Sequence, residues 1–466
     1  MNPIKRTLII TGAALALSSS LIASAQETDF DWLASAVETE LQAQNTAGVS
    51  VAIVFENQVI FSDGFGVRNT ETLDPVTADT LFQIGSTTKP LTALGMLQLA
   101  QAGLVHLDAS VTDYLPEFAV NEAITIRQLL SHSAGLNDDV AAYGPSNPES
   151  LRESISTFTP SASFAPAGEL QSYSNIGFNI AGAVIETASG QFFADYMTAE
   201  VFTPLGMSRT TFDPNVAITY PVAVGYNPSL FGTTAVRPNT HNVPESPSGI
   251  LYSTATDLTH LLQFILQAGM VEDQPFLTSE LFTEMVTPVE TRIDSSMRYG
   301  LGVSVETYRG TLALGHDGNV DGYAAFLKTL PEYGLGVVVL ANHIAFNAAP
   351  IFDQVVDELI DLPAPTAETE TETSVDVATY ADYVGAYVIA NSQGGVFLET
   401  QVNLMDDRLE LQIADQPTLE LRPLATDVFA TYFGEFPAGL EIRFLRDETG
   451  AVRYLYAGLR VGVKTN

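Results

Sequence analysis

The sequence predicts a mixed α/β protein of the α+β type, in which an antiparallel sheet flanked by helices is followed by a small antiparallel β-barrel. Three observations support this class. Strand patterns stand near both ends of residues 26–360, with helical patterns between them. A run rich in Thr, Glu and Pro then interrupts the chain at 361–377. The residues after it contain short apolar patterns separated by turn residues, which are typical of a barrel or sandwich.

The N-terminal segment, 1–25, has the pattern of a signal peptide. Two basic residues precede an apolar stretch at 8–22, and Ala23 and Ala25 supply the small-x-small cleavage pattern. A transmembrane anchor is the alternative, but the apolar stretch is shorter than the ~20 residues that a span requires. We therefore expect cleavage near Gln26 and an exported protein, periplasmic or secreted, with no integral membrane segment after processing.

The first elements of the mature chain are two strand patterns, 48–55 and 59–65, which form a predicted hairpin across a polar turn. A helical pattern follows at 88–101, with a glycine just beyond its end. The residues from about 105 to 250 are rich in Pro, Gly, Asn and Ser and contain short helical pieces such as 176–186. This middle region therefore predicts helices and loops.

Three further strand patterns follow at 299–308, at 311–330 with a break at Asp317 and Gly318, and at 334–341. Strands at the beginning and end of one domain, with helices between them, predict an antiparallel sheet in which the late strands lie beside the early ones.

The acidic segment 361–377 contains few large apolar residues and reads as an extended, self-repelling linker. It separates a predicted domain at 26–360 from a small β-barrel domain at 378–466, and we expect few contacts to cross this boundary. The barrel is predicted from six strand patterns, which are 394–402, 408–413, 419–424, 429–433, 440–445 and 452–457.

Composition excludes several classes of function. The 466 residues contain 55 Asp and Glu against 19 Lys and Arg, a net charge of −36. Such a charge repels phosphate backbones, so we expect no nucleic-acid partner. The absence of cysteine excludes disulfides, thiolate catalysis and Cys-based metal sites. The six histidines show no metal-binding spacing, and we expect neither a metal nor a cofactor.

Ser86 and Lys89 form an S-x-x-K pattern at the start of the predicted helix 88–101. Residues three apart share one face of a helix, so the Lys89 ammonium can lie beside the Ser86 hydroxyl and lower its pKa. The helix N-terminus adds a positive potential that favours an alkoxide and, later, an oxyanion. In isolation the same pattern also fits a capping Ser followed by a surface Lys.

Tyr173 and Asn175 are the second candidate pair. Side chains at i and i+2 of an extended segment point to the same side, so both can face one cleft. A Tyr beside a Lys ammonium can have a lowered pKa and accept the proton of Ser86. Asn175 can hydrogen-bond Lys89 or a substrate carbonyl. The alternative is a simple turn that leads into the helix 176–186.

The third candidate group is the run His316, Asp317, Gly318 and Asn319. A glycine inside a strand pattern indicates a close approach of two backbones. We expect the Asn319 backbone N–H to form half of an oxyanion hole and the Ser86 N–H the other half. A lone histidine is otherwise an ordinary hydrogen-bonded residue. The sequence contains no G-x-S-x-G, which argues against the nucleophile elbow of α/β-hydrolases.

Together, S-x-x-K early, Tyr-x-Asn in the middle and His-x-Gly late resemble the serine β-lactamase and penicillin-binding-protein superfamily. The branch that the chain resembles most contains class C β-lactamases, D,D-peptidases, D-aminopeptidases and β-lactamase-like esterases. The resemblance covers roughly residues 30–360 and implies an additional all-helical subdomain. The tail, from about 383, resembles the lipocalin-like domain often appended to such enzymes. Further matching stretches are 126–136, 204–207, 247–250 and 253–258.

The resemblance implies a role for each motif residue. Ser86 would be the acylated nucleophile, and Lys89 and Tyr173 would share its proton. Asn175 would orient Lys89 and the substrate amide. These four motif residues imply an acyl-enzyme mechanism on an amide or an ester.

The third motif departs from the family pattern. His316 stands where the family's Lys-Thr-Gly has Lys, and Asp317 stands where Thr or Ser is common. That hydroxyl helps to hold the substrate carboxylate, so a carboxylate here should weaken the binding of penicillins and of a free C-terminal D-Ala. Gly318 and Asn319 would complete the substrate-binding edge.

The sequence therefore predicts an exported serine hydrolase acting on a D-amino-acid peptide, a β-lactam or a short-chain ester, small molecules or fragments derived from peptidoglycan. The alternative is a catalytically weak or inactive binding or structural protein that retains the fold. The sequence does not fix the oligomeric state.

Overall fold

The computed structural model describes residues 30–118, 120, 121, 123–229, 232–293, 297–364, 377–391, 393, 395–414, 416–434 and 436–465. The predicted signal peptide and most of the predicted acidic linker lie outside the described residues. Within the described ranges, no helix combines the length and the apolar character needed to cross a bilayer.

The predicted fold class is confirmed: a helix-flanked antiparallel sheet precedes a closed barrel. The helices are α1 (Asp31–Ala43), α2 (Lys89–Gln101), α3 (Ile126–Leu130), α4 (Ser150–Ile155), α5 (Asn175–Ser189), α6 (Phe193–Tyr196), α7 (Thr203–Leu205), α8 (Pro214–Ala217), α9 (Ala255–Leu266), α10 (Ser279–Val286) and α11 (Ala349–Leu359).

The strands that precede the barrel are β1 (Gly48–Phe55), β2 (Gln58–Gly66), β3 (Phe82–Gln83), β4 (Tyr226–Ser229), β5 (Gly232–Ala235), β6 (Tyr252–Ser253), β7 (Met270–Val271), β8 (Gln274–Pro275), β9 (Met297–Tyr299), β10 (Ser304–Tyr308), β11 (Thr311–Gly315), β12 (Gly318–Val320), β13 (Tyr323–Leu330) and β14 (Leu335–Ala341). The main sheet has the order β2-β1-β14-β13-β11-β10-β9, and β12 pairs with β13. The late strand β14 lies antiparallel beside β1, as the sequence predicts.

Strand β1 shows why this sheet is buried on both faces. Its side chains are almost all apolar, without the polar alternation of a half-exposed strand. Val51 and Ile53 face the cluster that contains residues of α1 and α11. Ala52 and Val54 face the opposite cluster, which contains residues of α2, α5 and α9. The sheet therefore fixes the helices that position the candidate site.

The predicted single strand at 299–308 is wrong, because the chain forms two strands, β9 and β10, with a turn between them. The Gly300 N–H donates to the Val303 carbonyl at 2.9 Å, so the backbone folds back on itself at this point. This turn leaves Tyr299 and Ser304 at the wall of the central cleft.

The barrel closes through eight antiparallel strands, two more than the sequence predicts. The unpredicted strands are the first and the last, and their mutual pairing closes the barrel. The strands are β15 (Gly385–Ala390), β16 (Val396–Met405), β17 (Arg408–Ile413), β18 (Leu419–Ala425), β19 (Val428–Phe433), β20 (Phe436–Arg446), β21 (Val452–Ala457) and β22 (Arg460–Thr465).

The expectation of few contacts between the barrel and the preceding domain is wrong. Barrel side chains Tyr454, Tyr456 and Val461 form one buried apolar cluster with Leu170 and Ile293 of the preceding domain. The barrel is therefore packed onto the domain that contains the candidate site.

Candidate active site

The segment that contains Ser86 is a single 3₁₀ turn, Gly85–Thr88, which runs directly into α2. Gly85 has a φ of +51°, which only glycine adopts without strain, and a Cβ there would lie 2.7 Å from the Asn319 backbone nitrogen. A Cβ on Gly318 would lie 2.1 Å from the Ile84 carbonyl oxygen. The backbone of β12 therefore passes beside the Ser86 turn, as the predicted oxyanion arrangement requires. That arrangement itself stays a prediction.

Lys89 is fully buried and its Nζ makes three short contacts. Ser86 Oγ lies at 3.0 Å, Asn175 Oδ1 at 2.7 Å and the Ser248 carbonyl oxygen at 2.7 Å. Burial lowers the pKa of Lys89 to about 7, against the raising effect of Asp138. An amide oxygen and a carbonyl oxygen can only accept hydrogen bonds. A neutral Lys89 therefore gives both N–H groups to these acceptors and turns its lone pair to the Ser86 hydroxyl.

Tyr173 lies within hydrogen-bond reach of Ser86. The Lys89 Nζ stands 4.8 Å from the centre of the Tyr173 ring. The predicted lowering of the Tyr173 pKa is wrong: burial raises this pKa, and the hydrogen bond to Ser86 opposes the shift only in part. Tyr173 is thus a neutral hydroxyl at physiological pH, suited to donate a proton rather than to accept the first one.

Asn175 is the first residue of α5, and the preceding Ser174 caps this helix through its side chain. The Asn175 backbone N–H and the side-chain Nδ2 donate to Asp138 Oδ1 at 2.7 and 3.2 Å. The amide is thereby oriented with its oxygen on Lys89. The structure brings this predicted residue into the Ser86 cluster.

His316 lines the same cleft between β11 and β12. Its Nδ1 lies 2.6 Å from the Asp317 carbonyl oxygen, which requires a protonated Nδ1. Its Nε2 is buried and has no hydrogen-bond partner. Burial, followed by the positive charge of Lys89, lowers the pKa of His316 to about 3, so the ring is neutral.

Asp317 also lines the cleft. The residue as a whole is exposed to solvent, next to the buried Gly318 at the start of β12. Desolvation raises its pKa to about 6, while Lys328 lowers the pKa and Glu306 raises it. The Asn319 side chain is turned away toward the Ile344 carbonyl, to which its Nδ2 donates at 2.7 Å. Only its backbone is therefore placed for a role beside Ser86.

Sequence reasoning did not single out two rings behind the cluster. His132 packs against Tyr173 with ring centres 4.1 Å apart, and Tyr299 packs against His132 at 4.5 Å. His132 Nδ1 accepts the Ser174 backbone N–H at 3.1 Å, and burial holds the His132 pKa well below its usual value. The signal for His132 was present, because it lies inside the matching stretch 126–136. Both rings are buried behind Tyr173.

Two charged residues at the site were also missed. Asp138 is 1% exposed and lies just beyond the stretch 126–136. Arg460 begins the unpredicted strand β22, and its Nη2 lies 2.6 Å from Asp138 Oδ2. No motif marks Arg460, because the barrel places it here through tertiary packing alone.

The cleft in front of Ser86 has a volume of about 460 Å³. Four carboxylates line it, against the single guanidinium of Arg460; they are Glu245, Glu306, Asp317 and Asp321. Part of the wall is apolar and consists of Val140, Ala141, Ala142, Ile250, Val320, Ile344 and Leu459. Among the described residues, no group of three or more His, Asp or Glu side chains is arranged to hold a metal ion.

Two curated relatives are each 27% identical to this chain over the residues that align. Protein flp of Staphylococcus aureus (strain MRSA252) is 27% identical over 315 residues, which are 66% of this chain and 61% of that protein. The chain thus matches less than two thirds of the length of this relative. Penicillin-binding protein 4 of Amycolatopsis lactamdurans is 27% identical over 332 residues, 68% of this chain and 87% of that protein.

The fold is similar to several solved structures. The crystal structure of SurE superposes with a TM-score of 0.75 at 25% identity and covers 93% of this chain and 99% of SurE. A second SurE structure, with D-Leu, gives a TM-score of 0.72. A class C β-lactamase from Rhodobacter sphaeroides gives 0.59 at 23% identity and covers 70% of this chain and 99% of that protein.

The model of the Beta-lactamase family matches residues 33–355, well over half of the chain. This range contains the Ser86, Tyr173 and His316 motifs and ends before the barrel. The chain belongs to the Beta-lactamase family.

Proposed function

We propose that this protein is a serine hydrolase that forms an acyl-enzyme on Ser86 and hydrolyses an amide or an ester. The observation that supports this most directly is the buried Lys89 Nζ, 3.0 Å from Ser86 Oγ, with a pKa lowered to about 7. A base whose pKa lies near the working pH is the most effective proton acceptor. Lys89 meets this condition, and Tyr173 and His316 do not.

In the proposed acylation, Ser86 Oγ attacks the substrate carbonyl carbon while its proton passes to Lys89 Nζ. The carbonyl oxygen becomes an oxyanion, held by the backbone N–H groups of Ser86 and Asn319. The tetrahedral intermediate collapses as the leaving group departs with the proton of the Tyr173 hydroxyl. Lys89 then gives its proton to the Tyr173 phenolate, and the ester on Ser86 remains.

In the proposed deacylation, a water molecule attacks the acyl carbonyl and gives one proton to the same base. Ser86 Oγ leaves with the proton that Lys89 has just accepted, and the carboxylic acid product is released. Lys89 accepts the proton of the attacking group in both halves of the proposed reaction, and its position beside Ser86 serves both.

The charge of the cleft supports neutral or cationic substrates. Four carboxylates line the cleft, and one of them, Glu306, is paired with Lys328 at 2.9 Å. The guanidinium of Arg460 is paired with Asp138, so the unpaired charge of the cleft is still negative. A free substrate carboxylate would meet repulsion, and a free amine would meet attraction. The apolar wall accommodates an aliphatic side chain, and SurE has been crystallised with D-Leu. We therefore propose amides or esters of apolar D-amino acids as the first substrates to test. We also propose that the protein is exported to the periplasm or the medium.

The test is covalent labelling followed by turnover. Wild-type protein and Ser86→Ala are incubated with a fluorophosphonate probe, and the adduct is located by peptide mass spectrometry. We expect one adduct, on Ser86, and none in the variant. Turnover is then measured on D-Leu-p-nitroanilide, L-Leu-p-nitroanilide, p-nitrophenyl butyrate, nitrocefin and a D-Ala-D-Ala peptide. Failure of both labelling and turnover would favour the inactive binding protein.

A further inference from the structure

The turn between β21 and β22 of the barrel reaches the wall of the active-site cleft. The Leu459 carbonyl accepts the Tyr173 backbone N–H at 2.8 Å. The Val461 backbone N–H donates to Ser172 Oγ at 3.1 Å. Leu459 and Arg460 both line the cleft. The barrel is therefore bonded to the segment that holds Tyr173.

Arg460 makes the most consequential of these contacts. Its Nε and Nη2 lie 2.9 and 2.6 Å from Asp138 Oδ2, and its guanidinium covers the Tyr173 ring at 5.2 Å. The Asp138 side chain is 1% exposed, whereas that of Arg460 is 29% exposed. A buried carboxylate is strongly destabilising unless it is paired and hydrogen-bonded. Arg460 provides the only cationic side chain bonded to Asp138 among the described residues.

Asp138 is in turn the group that orients Asn175. Its Oδ1 accepts the backbone N–H of Asn175, and both carboxylate oxygens lie near the side-chain Nδ2 at 3.2 and 3.3 Å. The Asn175 Oδ1 then faces Lys89 at 2.7 Å. A continuous series of hydrogen bonds thus links the barrel to the base beside Ser86.

We propose that Arg460 is a positioning residue, supplied by the barrel, that holds Asp138 and through it Asn175 and Lys89 in the arrangement required to acylate Ser86. The barrel completes the active site and is not a separable appendage. This inference rests on the proposed function only where acylation of Ser86 is measured. The protonation of Lys89 can be titrated directly, whether or not the protein is a hydrolase.

The sign of the effect follows from the groups that face Lys89. These are the carboxylates Asp138 and Glu245, the guanidinium of Arg460, and the neutral rings of His132, His316 and Tyr173, with Tyr299 behind His132. Asp138 and Glu245 raise the pKa of Lys89, and Arg460 lowers it. Removing the charge of Arg460 leaves Asp138 unpaired, so Lys89 should hold its proton to a higher pH. Neutralising Asp138 as well should remove this effect.

The sequence makes a direct measurement practical, because its only lysines are Lys5, Lys89, Lys328 and Lys464. The full chain is labelled with ¹³Cε-lysine, and the Lys89 resonance is identified by its loss in Lys89→Ala. Its titration is recorded for wild type, Arg460→Gln, Arg460→Lys and the double variant Asp138→Asn/Arg460→Gln. The rate of fluorophosphonate labelling at Ser86 is measured on the same samples.

Arg292→Gln is the matched control. Arg292 Nη2 donates to the Arg446 carbonyl of the barrel at 2.6 Å, and its Nη1 pairs with Glu169. This variant removes one arginine from the same interface without touching Asp138. Thermal melts followed by circular dichroism report whether any variant loosens the barrel.

We expect Arg460→Gln to raise the midpoint of the Lys89 titration by on the order of one pH unit, and to slow labelling at pH 7 roughly fivefold. Arg460→Lys should restore part of both, and the double variant should bring the midpoint back to or below that of wild type. A Lys89 midpoint in Arg460→Gln equal to that in Arg292→Gln would overturn the proposal. Absent labelling in wild type with the expected titration shifts would instead refute the proposed function and leave the positioning role intact.

Discussion

The Nζ of Lys89 lies 3.0 Å from the Oγ of Ser86, inside a shell that gives the amine two acceptors and no solvent. In water a lysine is protonated at pH 7 and cannot accept a proton. Here burial stabilises the neutral amine, and the acceptors Asn175 Oδ1 and the Ser248 carbonyl fix its orientation. The nucleophile and its base are thus defined by one short contact.

Loss of either partner should therefore abolish or greatly reduce acylation. We expect Ser86→Ala to show no turnover and Lys89→Ala to lose on the order of 10²- to 10⁴-fold in kcat/KM. Lys464→Ala is the control, since Lys464 lies in the barrel and donates to the Asp382 carbonyl. Turnover is followed with p-nitrophenyl butyrate. Wild-type rates in Lys89→Ala would remove the base assignment.

The fall of kcat/KM on the acid side of its pH profile should reflect the protonation of Lys89. Below its pKa of about 7 the amine gains a proton and can no longer accept that of Ser86, so kcat/KM should rise with pH and reach half its maximum near pH 7. His316, with a pKa lowered to about 3, does not change charge in this range.

Glu245 is the competing source of such a limb, because burial raises its pKa too. The Glu245→Gln profile should keep the limb, and the residual activity of Lys89→Ala should lose it. Loss of the limb in Glu245→Gln and its retention in Lys89→Ala would assign the limb to the Glu245 carboxylate.

The sequence was sufficient for the parts of the site that local pattern encodes. Ser86 and Lys89 are close because one helical turn joins them, and Tyr173 and Asn175 because an extended segment separates them by two residues. The positions of Asp138 and Arg460 depend on packing between parts 322 residues apart in the chain, which no local spacing encodes. Strand β22 was missed for a related reason: its short sequence, with Gly462 at its centre, forms a strand only because β15 and β21 pair with it.

The loss of turnover caused by Tyr173→Phe should depend on the leaving group of the substrate. Because burial raises the Tyr173 pKa, its hydroxyl keeps its proton at neutral pH, and that proton is available to a departing amine. An anilide needs that proton, and p-nitrophenolate leaves without it. We expect a loss of about 10²-fold or more on D-Leu-p-nitroanilide and a much smaller loss on p-nitrophenyl butyrate. Equal losses on both substrates would show that Tyr173 acts before the leaving group departs.

Deleting residues 362–466 should damage the remaining domain. The deletion exposes the apolar surface around Leu170 and Ile293 and leaves the buried Asp138 without Arg460. We expect a lower melting temperature and fluorophosphonate labelling slowed roughly tenfold or more at pH 7. Adding Asp138→Asn to the deletion should recover part of the labelling rate. A truncated protein that melts and labels like the full chain would show that the barrel is dispensable.

The last prediction concerns Asp317, whose carboxyl group lines the cleft. With a pKa raised to about 6, it is mostly ionised at pH 7.5 and repels a substrate carboxylate. Two like charges 4 Å apart interact by about 4 kcal/mol at an effective dielectric near 20. A quarter of this, after screening by salt and solvent, is roughly a fivefold loss of affinity.

Asp317→Thr should therefore raise kcat/KM for penicillins about fivefold relative to p-nitrophenyl butyrate at pH 7.5. The sign can be checked within the wild type, because protonation of Asp317 below about pH 6 should raise the same ratio. The comparison of two substrates on one enzyme cancels the effect of Lys89 protonation, which slows both. Asp321→Asn, at another carboxylate of the cleft, separates a local effect from a change in overall charge. A penicillin-to-ester ratio that neither Asp317→Thr nor low pH alters would mean that the Asp317 carboxylate does not face the bound substrate.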